Sequence, residues 1–523
     1  MADEPSPPPS RLRLVGLLAA PILAAAVYIW LDRFGPQGTA SPNVAGLSDS
    51  GVAVAALAVL MAGWWLTEAI PLAATAMLPL VLLPLLKVSS IAEVGRSYGD
   101  EIVFLFLGGF LIQLAMERWN LHRRIALSIT LLVGTNPRRL VGGLMLATAF
   151  ISMWISNAAA AAMMLPIGLS VCGLVARRES GGAAESPIDA GAPISVRNFG
   201  VATAIGIAWA ATIGGLATPI GTAPNVLLRG FLERQYDRQI GFGPWMALCC
   251  PLAALLLVFA WWLLASVMYP VSNRHDDHDT DGLRAEMRAL GPVSRGEWAT
   301  LCVFLLAVAG WLFSKPLSHL LGLVRTRPDG TVQELLNDSV VAMTAGLLLF
   351  VIPVDFKKQV FALDWRDCKR LSYGTLLLFG GGLALASAIS STGLDKTIGQ
   401  MVAGLGGLHP FVLVLVVCAL VVFLSELVSN TALTATLLPI MGAAALALKA
   451  DPTTVLLATA LAASAAFMMP AGTPPSAITF SSGYYRIGQM ARAGVVLNVV
   501  GMGLIACLVH FAGPLVLGSA AAP

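Results

Sequence analysis

Charged residues are scarce in this sequence, at 12% of 523 positions, whereas 57% of the positions are hydrophobic. A soluble protein of this length cannot cover so much apolar surface with so few polar groups. The seven cysteines have the spacing of neither a zinc site nor a disulfide framework. The apolar runs hold no HExxH motif and no paired His and Asp, which disfavours an intramembrane enzyme. No basic patch accompanies the net charge of +3, so we expect no nucleic-acid partner.

Long apolar runs are what the sequence has instead, and its mean hydropathy is +0.80. Many of these runs reach the roughly 17–25 residues that span a bilayer. We therefore predict an all-α polytopic membrane protein with eleven spanning helices. The predicted spans cover residues 12–31, 48–66, 71–86, 101–120, 198–230, 244–268, 296–314, 338–354, 371–391, 453–483 and 491–514. The polar, proline-rich residues 1–11 are predicted to be a disordered tail.

Two further apolar segments, residues 140–172 and 410–447, each contain a Ser-Asn pair near the middle. Each segment is either one span or a re-entrant hairpin that enters and leaves on the same side. The hairpin alternative with a cytoplasmic N-terminus places 21 of the 32 Lys and Arg residues inside and 11 outside. That excess follows the positive-inside rule. We therefore predict two hairpins in a multi-pass protein of the inner (plasma) membrane, with the C-terminus outside.

An internal repeat appears as matches at a fixed offset of 273 residues. The matched pairs are Ser156-Asn157 with Ser429-Asn430, Pro166 with Pro439, and Gly108-Gly109 with Gly381-Gly382. A further match, Gly221-Thr222 with Gly472-Thr473, has an offset of 251, which indicates a shorter connecting loop. A shared offset across several motifs predicts a duplication. Because the spans between the two Ser-Asn pairs put one hairpin inside and the other outside, we predict inverted repeats, as in many secondary transporters.

The segments GTAP and GTPP, which begin at Gly221 and Gly472, each interrupt an apolar helix. Glycine and proline break the helix, so amide N–H groups are exposed at one new end and carbonyl groups at the other. A protein-lined cavity tolerates these groups, whereas lipid does not. Amide ends attract an anion, and carbonyl, Ser and Asn oxygens can coordinate Na⁺. The pattern therefore predicts an anion site and a small-cation site built from uncharged groups.

Two serines precede the Ser-Asn pairs by one helical turn. Ser152 lies four positions before Ser156, and Ser425 lies four before Ser429, so each pair of hydroxyls shares one helix face. This spacing suggests ligands on the cation side. Glu426 is an ionisable group in the same apolar segment, and it is either a proton or cation group or a supporting structural acid.

At these residues the chain resembles the divalent anion/sodium symporter family, which carries dicarboxylates, citrate or sulfate. The marks are the two Ser-Asn tips, the two Gly-Thr breaks and the run FSSGYYRIGQMARAGVVLN (Phe480–Asn498). The resemblance covers nearly the whole chain beyond the tail. It implies a homodimer in which each protomer has a scaffold domain and a transport domain that moves as an elevator. The implied first repeat has scaffold helices at 12–100, followed by a helix, hairpin and broken helix at 101–232, with the transport domain from about 137. Linking and scaffold helices follow at 233–370. The second repeat then has a helix, hairpin, broken helix and last helix at 371–516, with the transport domain from about 409.

The resemblance also implies ligands at the matching positions. One sodium site would use Ser152, Ser156, Asn157 and the Gly221 carbonyl group. The second sodium site would use Ser425, Asn430 and the carbonyl groups of Val428 and Gly472. The substrate would touch Ser156, Asn157, Ser429, Asn430, Thr431 and Thr473, with Thr222 and Pro474 close by.

Three positions depart from the family pattern. Ala158 replaces the usual Thr at the first tip, which removes a hydroxyl from the anion site. Ala223 stands where a Pro is common, and Ser476 replaces an Asn after the second break. These departures bear on which anion is carried, and they leave room for a member that exchanges anions without sodium.

The function that the resemblance implies is secondary active transport, not catalysis. We expect import of C4-dicarboxylates such as succinate, malate or fumarate, coupled to Na⁺, and the retained Ser152 and Ser425 favour that coupling. The alternatives are a Na⁺-independent dicarboxylate exchanger of the same fold, a carrier of sulfate or another small anion, and, less favoured, an anion channel.

Overall fold

The computed structural model describes residues 11–34, 47–133, 136–179, 186, 192–271, 281–326, 332–403, 409–470 and 472–517. The predicted disordered tail lies outside these residues, except for Arg11, which begins the first helix. Seven helices precede the first Ser-Asn segment. They are α1 Arg11–Phe34, α2 Asp49–Thr67, α3 Leu72–Thr75, α4 Leu78–Leu85, α5 Ile91–Tyr98, α6 Glu101–Arg118 and α7 Leu121–Val133.

The next helices carry the first-repeat motifs and lead to the middle of the chain. They are α8 Pro137–Ser152, α9 Asn157–Glu179, α10 Ile194–Leu216, α11 Ala223–Tyr236, α12 Phe242–Trp262, α13 Asp281–Ala289, α14 Arg295–Leu312, α15 Ser314–Leu320 and α16 Asp338–Val351. A π-helical stretch, Leu263–Met268, continues α12. Two short antiparallel pairs of strands are an addition to the predicted all-α fold. They are β1 Val324–Thr326 with β2 Val332–Glu334, and β3 Pro353–Asp355 with β4 Val360–Phe361.

The last part of the chain begins with a 3₁₀-helix, Trp365–Arg370, and carries the second-repeat motifs. Its helices are α17 Tyr373–Ser391, α18 Leu394–Ala403, α19 Pro410–Ser425, α20 Asn430–Ala447, α21 Pro452–Ala463, α22 Pro474–Phe480, α23 Ile487–Cys507 and α24 Gly513–Leu517. A π-helical stretch, Leu508–Ala512, joins α23 to α24.

Ten helices of the described residues are long and apolar enough to cross a membrane. Eight of them coincide with predicted spans, and the other two, Asn157–Arg177 and Asn430–Ala447, are second arms of the predicted hairpins. The predicted spans at 71–86, 338–354 and 453–483 contain shorter apolar helices. The structure therefore agrees with a polytopic membrane protein, while the count of eleven spans stays a prediction.

The expected continuous helix over 71–86 is wrong, because the structure divides it into α3 and α4. Pro79 occupies the second position of α4, where it cannot donate the backbone bond that would carry the helix through from Thr75. Proline also disfavours the helical conformation in the residue before it. The break leaves the backbone of Ala76 accessible to a neighbouring helix.

The two Ser-Asn segments form pairs of helical arms with matching boundaries. Both first arms, α8 and α19, have 16 residues and begin at a proline. In each case the preceding side chain caps the helix, since Asn136 accepts the N–H of Arg138 and His409 accepts the N–H of Phe411. An arm of 16 residues is about 24 Å long, which is shorter than the roughly 30 Å hydrocarbon core. Its length suits a hairpin better than a full span.

The broken helices form the interior of the molecule. An apolar stretch of 18 residues in α10 is entirely buried, whereas only 22% of an apolar stretch of the same length in α1 is buried. All residues of α21 except Thr454 are buried. The indole N–H of Trp209 in α10 donates to the Phe467 carbonyl oxygen beyond α21 at 3.0 Å. The second break is therefore held against α10 in the interior of the protein.

The glycine pairs at the 273-residue offset mark two close helix crossings. An ideal Cβ atom on Gly108 of α6 would lie 2.4 Å from the carbonyl carbon of Ala342 in α16. An ideal Cβ atom on Gly381 of α17 would lie 2.2 Å from the carbonyl oxygen of Ala76, at the break between α3 and α4. At these glycines, α6 and α17 thus each pack directly on backbone that belongs to the other half of the chain.

We expect Gly108→Ala to destabilise the protein, because the added methyl group overlaps the Ala342 backbone and overpacking costs about 1–3 kcal/mol. The matched control is Gly503→Ala in α23, where an added Cβ atom meets nothing within 4 Å. Thermal unfolding of the two variants in detergent checks this. An unchanged melting temperature for Gly108→Ala would show that the α6–α16 crossing is looser than described.

Candidate functional site

A cavity of about 760 Å³ lies where the hairpin tips and the helix breaks meet. Its lining includes nearly all of the residues that the sequence assigns to the site. These are Ser156, Asn157, Gly221, Thr222, Val428, Ser429, Asn430, Thr431, Gly472, Thr473 and Pro474. The two remaining predicted residues, Ser152 and Ser425, are fully buried and do not line the cavity. The structure thus brings together motifs that are up to about 320 positions apart in the sequence.

Four helices begin at the wall of this cavity. They are α9, α11, α20 and α22, which start at Asn157, Ala223, Asn430 and Pro474. In each case a hydroxyl residue comes directly before the helix. These residues are Ser156, Thr222, Ser429 and Thr473. The N-termini of α9, α11 and α20 carry unpaired N–H groups and a partial positive charge, so the cavity wall is suited to an anion. The seven-residue α22 adds no such group at positions 474–476, because Pro474 and Pro475 have no N–H and the Ser476 N–H is donated to Thr473.

The four hydroxyl groups differ in how far they serve their own helices. Thr473 accepts the N–H of Ser476, and Ser156 accepts the N–H of Ala159 at 3.3 Å. Thr222 and Ser429 make no side-chain capping bond. Because these two hydroxyls are not used for capping, they are free to face a ligand in the cavity.

An oxygen-rich cluster lies behind the first tip. The inner atom of the Asn157 side-chain amide is 2.8 Å from the Ser152 hydroxyl and 3.2 Å from each of the carbonyl oxygens of Gly221 and Ala211. The Ser152 hydroxyl in turn donates to the Ala211 carbonyl at 2.6 Å. The amide nitrogen turned inward satisfies these three oxygens. The oxygens of two predicted ligands, Ser152 and Gly221, therefore surround the inner amide atom of Asn157 together with that of Ala211, whereas the Ser156 side chain lines the cavity.

Two glycines allow this cluster to form. An ideal Cβ atom on Gly215 would lie 2.4 Å from an atom of the Asn157 amide, and one on Gly221 would lie 2.5 Å from the Gly215 carbonyl oxygen. Real Cβ atoms do not approach other atoms so closely, so any larger residue would push the break away from the tip. The glycines of GGLATPIG thus serve close approach as well as helix breaking.

The first break is held through its carbonyl groups. The Asn225 amide nitrogen donates to the carbonyl oxygens of Gly215 at 3.0 Å and Thr218 at 2.9 Å. The Thr218 hydroxyl donates to the Met153 carbonyl oxygen at the hairpin tip. The Trp245 indole also donates to the Leu216 carbonyl at 3.1 Å. Carbonyl groups freed by the break therefore have donors, as a membrane interior demands.

The second tip is arranged differently. The Ser425 hydroxyl donates to the Val422 carbonyl oxygen of its own helix at 2.8 Å. The Asn430 side-chain oxygen is buried and has no hydrogen-bond partner within the described residues. Within the part of the chain that the structure describes, no hydrogen bond joins Ser425 to Asn430, so the second predicted cation set is not linked as the first one is.

Three charged side chains, Arg13, Glu68 and Arg370, also line the cavity, and the sequence motifs did not predict them; we call these three residues the rim. Arg13 and Glu68 lie 3.1 Å apart across α1 and α2, and Arg370 lies 2.6 Å from Glu117. Arg13, Glu68 and Arg370 all line the cavity. The expectation of a pocket made wholly from uncharged groups is therefore wrong for the rim, although it holds for the tips and breaks.

Gln113 of α6 is another lining residue that sequence reasoning missed. Its side-chain oxygen accepts the backbone N–H of Ser156 at 3.3 Å, and its nitrogen donates to Glu117 at 2.9 Å. It stands among apolar residues in LFLGGFLIQLA, and an isolated amide in a membrane helix is the signal that could have identified it.

Comparison with known proteins gives relatives along nearly the whole chain. The sequence-related proteins include a sodium-dependent dicarboxylate transporter, SdcS, of Staphylococcus saprophyticus, which is 38% identical over 507 residues. That match covers 97% of this chain and 92% of the relative. SdcS of Staphylococcus aureus strain NCTC 8325 is 37% identical over 511 residues, with the same coverage of both chains.

Two solved structures resemble the fold. The YdaH transporter of Alcanivorax borkumensis has a TM-score of 0.53 at 16% identity and matches 80% of this chain and 86% of its own. MtrF of Neisseria gonorrhoeae has a TM-score of 0.53 at 12% identity and matches 96% of this chain and 95% of its own. At these identities the likeness concerns the fold alone.

The family model described as the sodium:sulfate symporter transmembrane region matches residues 37–517. This match covers the described helices from α2 to α24, including both Ser-Asn tips and both Gly-Thr breaks. The chain therefore belongs to the divalent anion/sodium symporter family.

Proposed function

We propose that this protein is a Na⁺-coupled importer of C4-dicarboxylates such as succinate, malate and fumarate. The observation that carries the proposal is one cavity in which the N-termini of α9, α11 and α20 meet beside an oxygen cluster. The relatives that match 97% of the chain are named sodium-dependent dicarboxylate transporters, which supports Na⁺ as the co-transported ion and a dicarboxylate as the substrate.

The wall of the cavity supports an anionic substrate. Residues 156–157, 222–223, 429–431 and 473–474 contribute backbone N–H groups, hydroxyls and amides, and none of them carries a negative charge. A carboxylate at each of two facing tips would accept hydrogen bonds from both repeats.

The oxygen cluster supports a sodium site behind the first tip. Na⁺ is a hard cation that prefers oxygen ligands, and Ser152, Gly221 and Ala211 already direct oxygens at one point. The inner atom of the Asn157 amide occupies this point, so an ion would displace it, and the Asn157 oxygen turned toward the ion would complete a set of four. At the second tip, the unpaired oxygen of Asn430 supports a corresponding role.

The transport cycle that we propose is an elevator with the divisions implied by the family. The charged lining residues come from segments assigned to the scaffold, and the tip and break residues come from segments assigned to the transport domain. The reciprocal packing of Gly108 and Gly381 supports the inverted repeat. Arg229 and Arg234 of α11 pair with Asp338 and Asp100, each at 2.6 Å, and these ion pairs would have to break as the transport domain moves.

The orientation and assembly belong to the same proposal. The cavity rim carries Arg13 and Arg370, which the distribution of basic residues assigns to the cytoplasmic side. We therefore propose an inward-open state, a cytoplasmic N-terminus, an outside C-terminus and a homodimer in the bacterial plasma membrane. Chemical accessibility of a cysteine introduced at Arg13, and the mass of the purified protein in detergent, would test the orientation and the dimer.

We expect uptake of labelled succinate into proteoliposomes to require an inward Na⁺ gradient and to fail when choline or K⁺ replaces Na⁺. Unlabelled malate and fumarate should compete with succinate, whereas sulfate should not. Uptake that is indifferent to Na⁺ but driven by internal dicarboxylate would identify an exchanger. Competition by sulfate would identify a carrier of a broader or different anion class.

Asn157→Ala and Asn430→Ala should each lower uptake by about tenfold or more at fixed Na⁺, because each removes polar contacts from a tip. The matched control is Asn198→Ala, since the Asn198 amide donates to the Pro270 carbonyl at 3.2 Å and does not line the cavity. Initial rates with equal amounts of monodisperse protein provide the measurement. Near-normal transport by either tip variant would refute the role of that asparagine.

Ala158→Thr should change the substrate affinity or the order of competing dicarboxylates. Ala158 lines the cavity at the position that Thr431 occupies in the second tip, so the variant adds a hydroxyl donor facing the anion. The half-saturating succinate concentration and the inhibition by malate and fumarate, measured at saturating Na⁺, check this. An unchanged inhibition profile would mean that position 158 does not contact the substrate.

A further inference from the structure

Glu426 is a buried carboxylate at the second hairpin tip, with 5% of its surface exposed. No ion pair of the described residues includes it. Its oxygens instead accept four N–H groups, which come from the backbone of Phe467, Met468 and Met469 at 2.8, 2.9 and 2.9 Å and from the Asn498 side chain at 2.7 Å. A buried charge is tolerated only when it is satisfied in this way.

The three backbone donors are consecutive residues of the second helix break, between α21 and α22. Successive N–H groups that converge on one anion form a concave binding site of the kind that usually holds a phosphate or another bound anion. Here the anion is a side chain of the protein itself. Asn498 of α23 strengthens the arrangement, because its side-chain oxygen also accepts the Phe467 N–H at 3.1 Å.

This contact reaches the residues assigned to the second cation site. The Gly472 N–H donates to the Met469 carbonyl oxygen at 3.1 Å, so the turn that carries Gly472 begins at a residue bound by Glu426. An ideal Cβ atom on Gly472 would lie 3.3 Å from a Glu426 carboxylate oxygen. Glu426 also comes two positions before Val428, the other predicted carbonyl ligand.

The first repeat has no such charge. The residue at the matching position, 273 before Glu426, is the neutral Met153. There Asn225 anchors the break by donating to carbonyl groups, but its counterpart at the 251-residue offset is Ser476. The Ser476 hydroxyl lies 2.8 Å from the Thr473 hydroxyl. The second break has therefore lost the asparagine anchor, and the hairpin supplies a carboxylate anchor instead.

We propose that Glu426 is a positioning residue that shapes the second Na⁺ site and adds a fixed negative charge to it, so that the two sodium sites differ in affinity. This proposal rests on the proposed Na⁺ coupling. Among the described residues only N–H dipoles balance the Glu426 carboxylate, so its field acts on a cation held by the carbonyl groups of Val428 and Gly472. The second site is accordingly the tighter one, and it fills before the first.

The test is the Na⁺ dependence of succinate uptake by proteoliposomes that contain equal amounts of monodisperse wild type, Glu426→Gln or Glu297→Gln. In Glu426→Gln the side chain has no charge, and its amide N–H group would face the backbone N–H groups of the second break. The half-saturating Na⁺ concentration should therefore rise about tenfold. Glu297 is also buried and hydrogen-bonded, to Arg124 and Ser294, but it does not line the cavity, so its variant should keep the wild-type value.

Two further variants separate positioning from folding. Asn498→Ala keeps the charge but removes one donor, so it should raise the half-saturating Na⁺ concentration by less than Glu426→Gln does. Glu426→Asp should recover part of the affinity. A folded Glu426→Gln protein with wild-type Na⁺ dependence and only a lower maximal rate would overturn the proposal. If Glu426→Gln does not fold, an unchanged Na⁺ dependence in Asn498→Ala overturns it, whereas a wild type that ignores Na⁺ refutes the proposed function itself.

Discussion

The site depends on one constraint, which is that a helix broken inside a membrane must find partners for the backbone groups that the break exposes. The structure meets this constraint with side chains that come from other elements. Trp245 and Asn225 bind the carbonyl groups of the first break, and Glu426 binds the amides of the second. The groups left over are the N–H groups at the starts of α9, α11 and α20, and these helices begin at a common cavity. The proposed anion-binding surface is thus the part of the broken backbone that the protein does not satisfy internally.

The two halves meet this constraint with opposite chemistry. An amide that donates to carbonyl oxygens leaves the first break without added charge, whereas a carboxylate that accepts N–H groups leaves the second break with one negative charge. Matching sequence offsets therefore coexist with different electrostatics. This difference explains why the departure at Ser476 need not loosen the second break, since the asparagine that it replaces has a substitute in Glu426.

Much of the tip geometry could be predicted from the sequence, because Ser-Asn pairs and helix-breaking Gly-Thr segments act locally. All the predicted residues except Ser152 and Ser425 line one cavity, and the break of the helix at GTAP falls between α10 and α11. The rim arginines could not be predicted in this way. Arg13 and Arg370 lie at helix ends far apart in the chain, where a basic residue is ordinarily explained by the membrane surface. The role of Glu426 also required the structure, since its partners lie 41–43 and 72 positions further along the chain.

The distribution of charge bears on how such a protein could move its substrate. All charged lining residues, Arg13, Glu68 and Arg370, lie outside the hairpins and broken helices, and each arginine is paired with a glutamate. In the proposed elevator these charges would stay at one membrane surface while the tips and breaks, which line the cavity with uncharged residues, travel with the ligand. A substrate held by helix N-termini needs no arginine to accompany it, and charged arginine is costly inside a bilayer. The charge that would travel at the tips is that of Glu426, whose sign opposes Na⁺. The bound cation would therefore neutralise the second tip, so occupancy of that site and the cost of moving the domain through the membrane would be linked by the same electrostatic interaction.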